Sequence, residues 1–452
     1  MTHLPDAPQE PLRARGAIAA QGSEGHPSED RLPDSESTRG REGPPGLEAA
    51  TAQGIHRLAI PTPFMVGRVN SYLIEDDPLT LIDSGPNSGK ALDELERALG
   101  DRGHAIEDLE LLVISHQHID HLGLAAILAR RSGAEVAALD RLAPFLERFG
   151  EDSERDDRFA EGLMLRHGIP ADVTHALRAV SASFRGWGAA VNVDRRLTHG
   201  GEIVLRDRTL RVLHRPGHSP SDTVFLDAER RTLIAADHLI RHISSNPLIS
   251  RPLDPDFDEQ RDARPRALIT YMNSLRATRE MELDLVLSGH GDPILDHVAL
   301  IDERFRLHRR RARRILDLIC ERPSTAYEIA QHLWGNVAVT QAFLTLSEVL
   351  GHVDLLLEDG TVHEQTGDGV VRFSAGRPGY RLALSSPAGG VHFDLRQVAD
   401  VGHVCELPAG RSFKPGIEDR GESATGSAAQ AQSQHVCIVP APGAGGGLRV
   451  GA

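Results

Sequence analysis

Residues 115–123 read SHQHIDHLG, and no other stretch restricts this chain so tightly. Three histidines and an aspartate fall between His116 and His121, spaced HxHxDH. A lone histidine is usually a surface residue or a satisfied core residue. Four metal-grade side chains in one loop are another matter. At this histidine content a chance match arises in roughly one of several hundred chains. Buried polar groups also need partners. The loop therefore reads as part of a metal cage.

The rest of the cage is spread along the chain, at the ends of apolar runs. Asp83 ends LTLID, His116 follows LLVIS, His218 follows RVLHRPG, Asp237 ends TLIAAD and His290 follows LVLSG. Such runs read as strands, at 71–75, 79–83, 109–115, 135–139, 202–205, 210–216, 223–227, 231–237 and 283–289. Residues just past strand ends collect along one edge of a sheet, where loops build sites. Helices are expected at 88–100, 121–132 and 264–280. Strand-rich halves with interleaved helices predict two sheets packed between helical layers, a four-layer αββα sandwich. His214 reads as a strand residue, and His56, His104 and His352 as structural.

Residues 141–190 look helical and interrupt the strands, either as a lid over the site or as a packing pair. Residues 302–363 read as three helices plus a hairpin at LLLEDGTV, a winged-helix pattern. Its TAYE stretch, 325–328, fits a capping box. This divides the chain into a disordered segment 1–54, a main domain 55–301, the unit 302–363 and a mostly flexible tail 364–452.

Composition excludes several classes. The formal net charge is −15, so contact with nucleic acid needs a local basic patch. The best candidate is HRRRARR, with Arg309, Arg310, Arg311, Arg313 and Arg314 on one helix. Cys320, Cys405 and Cys437 make neither a disulfide framework nor a zinc knuckle. No apolar stretch is long enough to span a bilayer. The first residues lack the apolar core of a secretory signal. A cytoplasmic location is the expectation, and it argues against an exported antibiotic-degrading enzyme.

Taken as a set, these motifs resemble the metallo-β-lactamase-fold hydrolases over about residues 56–300. The resemblance implies that His116, His118 and His218 hold one divalent ion. Asp120, His121 and His290 would hold a second, Asp237 would bridge the two, and Asp83 would orient ligands from behind. It further implies a metal-bridging hydroxide that attacks the substrate, with Asp120 taking or passing a proton. The nitrogen and oxygen donors suit zinc, with iron or manganese as alternatives. His242 stands five residues beyond Asp237 as a candidate general acid or substrate contact.

Residues 271–294 and the unit after them are similar to a β-lactamase-like group whose animal members are mitochondrial endoribonucleases. The substrate readings are thus a small ester or thioester, as in hydroxyacylglutathione hydrolase, or single-stranded RNA. A metal-sensing DNA-binding regulator is the reading outside catalysis. The partners expected are one of these substrates, no membrane, and a second copy of the chain as a homodimer.

Overall fold

The computed structural model describes residues 46–259 and 261–376. Strands β1 (Ile55–Ile60), β2 (Val69–Ile74), β3 (Thr80–Ile82), β4 (Leu111–Ile114), β5 (Glu135–Leu139) and β6 (Arg195–Leu197) form one sheet in that order. Strands β7 (Glu202–Val204), β8 (Thr209–His214), β9 (Thr223–Asp227), β10 (Thr232–Ala236) and β11 (Leu285–Ser288) form the second, in reverse order. The hairpin β12 (Val362–Gly367) and β13 (Val370–Ala375) stands apart from both sheets.

The helices are α1 (Leu47–Ala52), α2 (Gly89–Gly100), α3 (Ile119–Leu122), α4 (Ala125–Ser132), α5 (Ala143–Glu147) and α6 (Phe149–Arg166). They continue as α7 (Ala171–Phe184), α8 (Ala267–Arg279), α9 (His297–Glu321), α10 (Ala326–Trp334), α11 (Val337–Thr340) and α12 (Ala342–Glu358).

Alternation along the strands sets the layers. In β4, Leu111 and Val113 join a core with Ile203, Val212, Phe225 and Leu287 of the second sheet. Leu112 and Ile114 face the other way, onto Leu95 and Leu99 of α2 and Leu128 of α4. In β10, Ile234 points between the sheets, while Leu233 and Ala235 pack with Leu268 and Leu275 of α8. Both of these strands bury both faces, and the order of layers is helix, sheet, sheet, helix, as expected.

Several boundaries differ from the sequence reading. Residues 46–54 were assigned to a disordered segment, but α1 packs Ala50 into the core between the sheets. Strands β1 and β6 were not anticipated. Strand β6 is RRL at the edge of its sheet, with no apolar run to mark it. The helix expected over 121–132 is two, α3 and α4, separated at Gly123 and Leu124. The hairpin placed at LLLEDGTV lies later: Leu355–Leu357 are the last turn of α12. That helix is buried on every side from Leu344 to Leu356, and periodicity cannot separate a buried helix from a buried strand. The turn is Asp368-Gly369, both with positive φ, so 364–375 belong to the hairpin rather than to a flexible tail. The predicted capping box is present, with Thr325 and Glu328 bonding each other's backbone N–H. Cys320 is disulfide-bonded, which the cysteine spacing had not suggested.

The arginine run does not form a single basic face. Arg310, Arg313 and Arg314 are exposed on α9, but Arg311 turns inward and pairs with the buried Glu348 of α12. One turn away, His308 Nδ1 lies 3.1 Å from His352 Nε2. Arg311→Ala should therefore cost about 3 kcal/mol in urea unfolding, because it strands a buried carboxylate. Arg310→Ala should shift stability by no more than about 0.5 kcal/mol. Equal effects would mean that Arg311 anchors nothing.

Candidate metal centre

Strands β3 and β4 run parallel in one sheet, and β10 and β11 run parallel in the other. Their C-terminal ends meet where the sheets are stitched together. Asn70 N–H donates to Gly289 O at 2.7 Å, and Thr223 N–H donates to Ser115 O at 3.1 Å. All seven expected ligands arrive at this seam. His116 and His118 come from the loop after β4, Asp120 and His121 from α3, and His218 from the loop after β8. Asp237 follows β10 and His290 follows β11.

Two groups result. His116 Nε2 lies 3.1 Å from His118 Nδ1, which lies 2.9 Å from His218 Nε2. Asp237 Oδ2 completes this group at 3.5 Å from His218 Nε2. In the second group, His290 Nε2 lies 3.4 Å from Asp120 Oδ2, and His121 Nε2 lies 4.0 Å from the same oxygen. Asp237 also reaches this group, with His290 Nε2 3.4 Å from Oδ2 and His121 Nε2 3.4 Å from Oδ1. Its carboxylate therefore lies between the two donor sets.

The backbone makes room for it. The pairing of β10 with β11 shifts register between Ile234 and Ala236, and Ala236 has φ of 43°. This kink turns Asp237 out of the sheet. Gly289 faces it: a Cβ there would fall 2.2 Å from Asp237 Oδ1, so only glycine lets the carboxylate approach.

The ring orientations are held from behind. Each His ring nitrogen that bonds away from the centre leaves the other aimed inward. His218 Nδ1 lies 3.1 Å from Asn246 O, and His290 Nδ1 lies 2.9 Å from Arg68 O. His121 Nδ1 lies 2.8 Å from Asp83 Oδ2. Asp83 also accepts from Ser115 N–H at 2.9 Å and Ser115 Oγ at 2.7 Å, and Ser115 Oγ lies 2.9 Å from His116 Nδ1. Asp83 thus acts on ligand-bearing residues and stands outside both groups. Its φ of 59° aims it there directly past β3.

Sequence reasoning missed Ser115, Asn246 and Arg304. Arg304, buried on α9, donates to the carbonyls of Ile240, Arg241 and Ile243, and so clamps the loop that follows Asp237. Asn246 Nδ2 in that loop donates to Leu344 O of α12 at 3.3 Å. Backbone acceptors leave no sequence motif. His242 belongs to neither group. Its ring lies on Gly291, where a Cβ would fall 2.5 Å from Nδ1, and it is not in the wall of the cavity described below.

The donor atoms fit cations. Among the described residues, Asp120 Oδ2, His121 Nε2, both Asp237 oxygens and His290 Nε2 are buried without a hydrogen-bond partner. So many orphaned polar atoms would be costly unless something charged joined them. Burial and neighbouring imidazoles hold His118 down to about 3 and push His116 in the same direction. Both keep a lone pair free. Burial also opposes charge on His290 and His121, but Asp237 outweighs it, lifting His290 to about 9 and raising His121. Asp237 is lowered well below its usual range despite burial, because His290 and His121 face it.

A cavity of about 240 Å³ opens beside the centre, with His118 and Asp120 in its wall. Helices α6 and α7, the predicted insert, form one side and the start of α12 another. The insert covers the site and also packs, since Leu163 and Met164 of α6 join the core with α12.

The metallo-beta-lactamase superfamily model matches residues 65–290, from the loop before β2 to the last ligand. The chain belongs to the metallo-β-lactamase superfamily. It is 31% identical over 309 residues to the probable metallo-hydrolase YqjP of Bacillus subtilis, covering 68% of this chain and 93% of that protein. It is 26% identical over 175 residues to the hydroxyacylglutathione hydrolase GloC of Haemophilus influenzae, covering 38% of this chain and 67% of that protein. A metallo-beta-lactamase family protein from Thermus thermophilus superposes with a TM-score of 0.60 at 25% identity, over 72% of this chain and 99% of that one. The superfamily, the YqjP likeness and the two donor groups make the protein a metal-dependent hydrolase.

Two outcomes test the centre. Because Asp237 favours the protonated forms of His290 and His121 when no ion is bound, cations must displace protons there. Metal affinity should rise with pH up to about 9, where His290 titrates. Calorimetry in buffers of different ionisation enthalpy should detect about one to two protons released on loading; no release would sink this account. Asp83→Asn should weaken metal binding by about 10-fold to 100-fold, through His121 and Ser115.

Proposed function

We propose that the protein hydrolyses a small ester or thioester with two divalent ions, zinc in each site. His116, His118 and His218 would hold one ion and Asp120, His121 and His290 the other, with Asp237 placed to serve both. Bound there, the ions would activate water near neutral pH and draw off the charge that develops on the substrate oxygen.

The chain's own residues do the rest. His118 and Asp120 also face the cavity, so the scissile carbonyl sits against them. The water oxygen bonds to the acyl carbon and the C–O or C–S bond breaks. Asp120 carries the proton released by water to the departing oxygen or sulfur. The ring of His242, outside the cavity wall, has no part in these steps.

The observation that carries this reading is the cavity: mainly apolar, flanked by the insert, and without a spare cation in its wall. Each arginine in its wall already has a carboxylate partner. Arg178 pairs with Glu161 at 2.6 Å, Arg185 with Asp157 at 2.6 Å, and Arg251 with Asp156 at 2.9 Å. A phosphodiester backbone needs free Lys or Arg along its path. The likeness to hydroxyacylglutathione hydrolase supports thioester chemistry, and glutathione itself has no such support.

RNA has less in its favour, because no residue of the arginine run on α9 lies in the cavity wall. DNA reading has least. In a winged-helix unit the second long helix enters the groove, and here α12 has no free face from Leu344 to Leu356.

A side-by-side assay decides among these. Metal-loaded protein should turn over acyl thioesters and leave single-stranded RNA intact, and Asp120→Ala should slow the reaction by about 10²-fold to 10⁴-fold. RNA cleavage lost with the same substitution would reverse the assignment.

A further inference from the structure

We propose that the cavity beside the metal centre is a binding site for an apolar tail of about eight to ten carbons on the substrate. This rests on the ester or thioester reading and names the class of molecule it takes. The chain is poor in aromatics, at 4% of residues, with twelve phenylalanines. Six of the twelve line this one cavity: Phe64, Phe145, Phe149, Phe159, Phe184 and Phe343. They come from separate parts of the chain, namely the β1–β2 loop, the inserted helices and the start of α12. Convergence of scarce side chains from three segments is not what a packing helix pair alone would need. Phe64 and Phe184 meet across the cavity with ring centroids 6.0 Å apart, and Phe145 and Phe149 stand edge-on at 5.9 Å. Leu248, Leu344 and Met164 fill the spaces between.

The arginines in the wall, with Asp156 and Asp157, are spent on ion pairs. Ser181 Oγ donates to Asp157 at 2.6 Å, and Gln117 Oε1 accepts from Ser221 Oγ at 2.7 Å. Asp156, against Arg251, is pushed up to about 7 by burial, so this wall resists added negative charge. A ligand here is held mainly by apolar contact. Its size follows from the volume. On the scale of an apolar cavity of roughly 150 Å³ that takes the six carbons of benzene, a cavity of about 240 Å³ takes a chain of about eight to ten carbons. His118 and Asp120 fix one end of the tail at the reacting carbonyl.

The tail could belong to the acyl group or to the leaving group, and two substrate series separate these. One runs from acetyl to dodecanoyl thioesters of N-acetylcysteamine, the other through acetate esters of ethanol to dodecanol. In one series kcat/KM should rise roughly threefold or more per methylene, peak at about eight to ten carbons and then fall. Ala160 of α6, small and half-buried in the wall, provides the control. Ala160→Phe should move the peak to shorter tails. Flat profiles in both series, or a peak that Ala160→Phe leaves in place, would overturn the tail site while the hydrolase reading stands. If neither series is turned over, calorimetry with octanoate and octanol separates the two claims. Binding by the parent that Ala160→Phe weakens keeps the cavity assignment and removes the ester reading. Absence of binding removes both.

Discussion

Asp237 is buried where neither carboxylate oxygen has a hydrogen-bond partner, between two sets of imidazoles. A carboxylate in such a place is tolerable only with positive charge beside it. Much of the architecture serves that condition. The shifted register of β10, the left-handed Ala236 and the missing side chain at Gly289 bring the carboxylate in. Asp83, Arg68 O and Asn246 O then fix which nitrogen each of three histidines presents. The two sheets supply the donors jointly, so the seam between them is the place where metal chemistry can be assembled.

The sandwich and the donors were legible because both write short-range signals. Continuous apolar runs mark strands that bury both faces, and most of the ligands lie in the loops just past such runs. The nine strands read from those runs all occur, with ends shifted by a residue or two. What was not legible depends on tertiary contact. The arginine-rich strand β6 exists because β5 offers it an edge. The apolar end of α12 looked like a strand because burial on all sides erases helical periodicity. Arg311 looked like part of a basic patch, and only Glu348 on another helix reveals it as an internal anchor. His242 had motif-like spacing from Asp237, but the loop after β10 lays it on Gly291, outside the cavity.

The inserted helices show how a shared metal centre acquires its own selectivity. The cage is built from loops at strand ends and leaves one side accessible at His118 and Asp120. What stands on that side is set by α6, α7 and the first turn of α12, three elements outside the two sheets. On the reading proposed above, reaction type and substrate choice reside in different parts of the chain. Among the described residues no helix is long and apolar enough to cross a membrane.

The segment matched by the superfamily model stops at His290, yet the supports of its own ligands continue past it. Arg304 of α9 holds three carbonyls of the loop after Asp237, and α12 holds Asn246, whose carbonyl orients His218. Helices from beyond the matched boundary therefore act as a truss for a loop within it. Anyone seeking a minimal version of this protein should cut no earlier than the end of α12, because a shorter piece would keep every ligand and lose the scaffold that aims one of them.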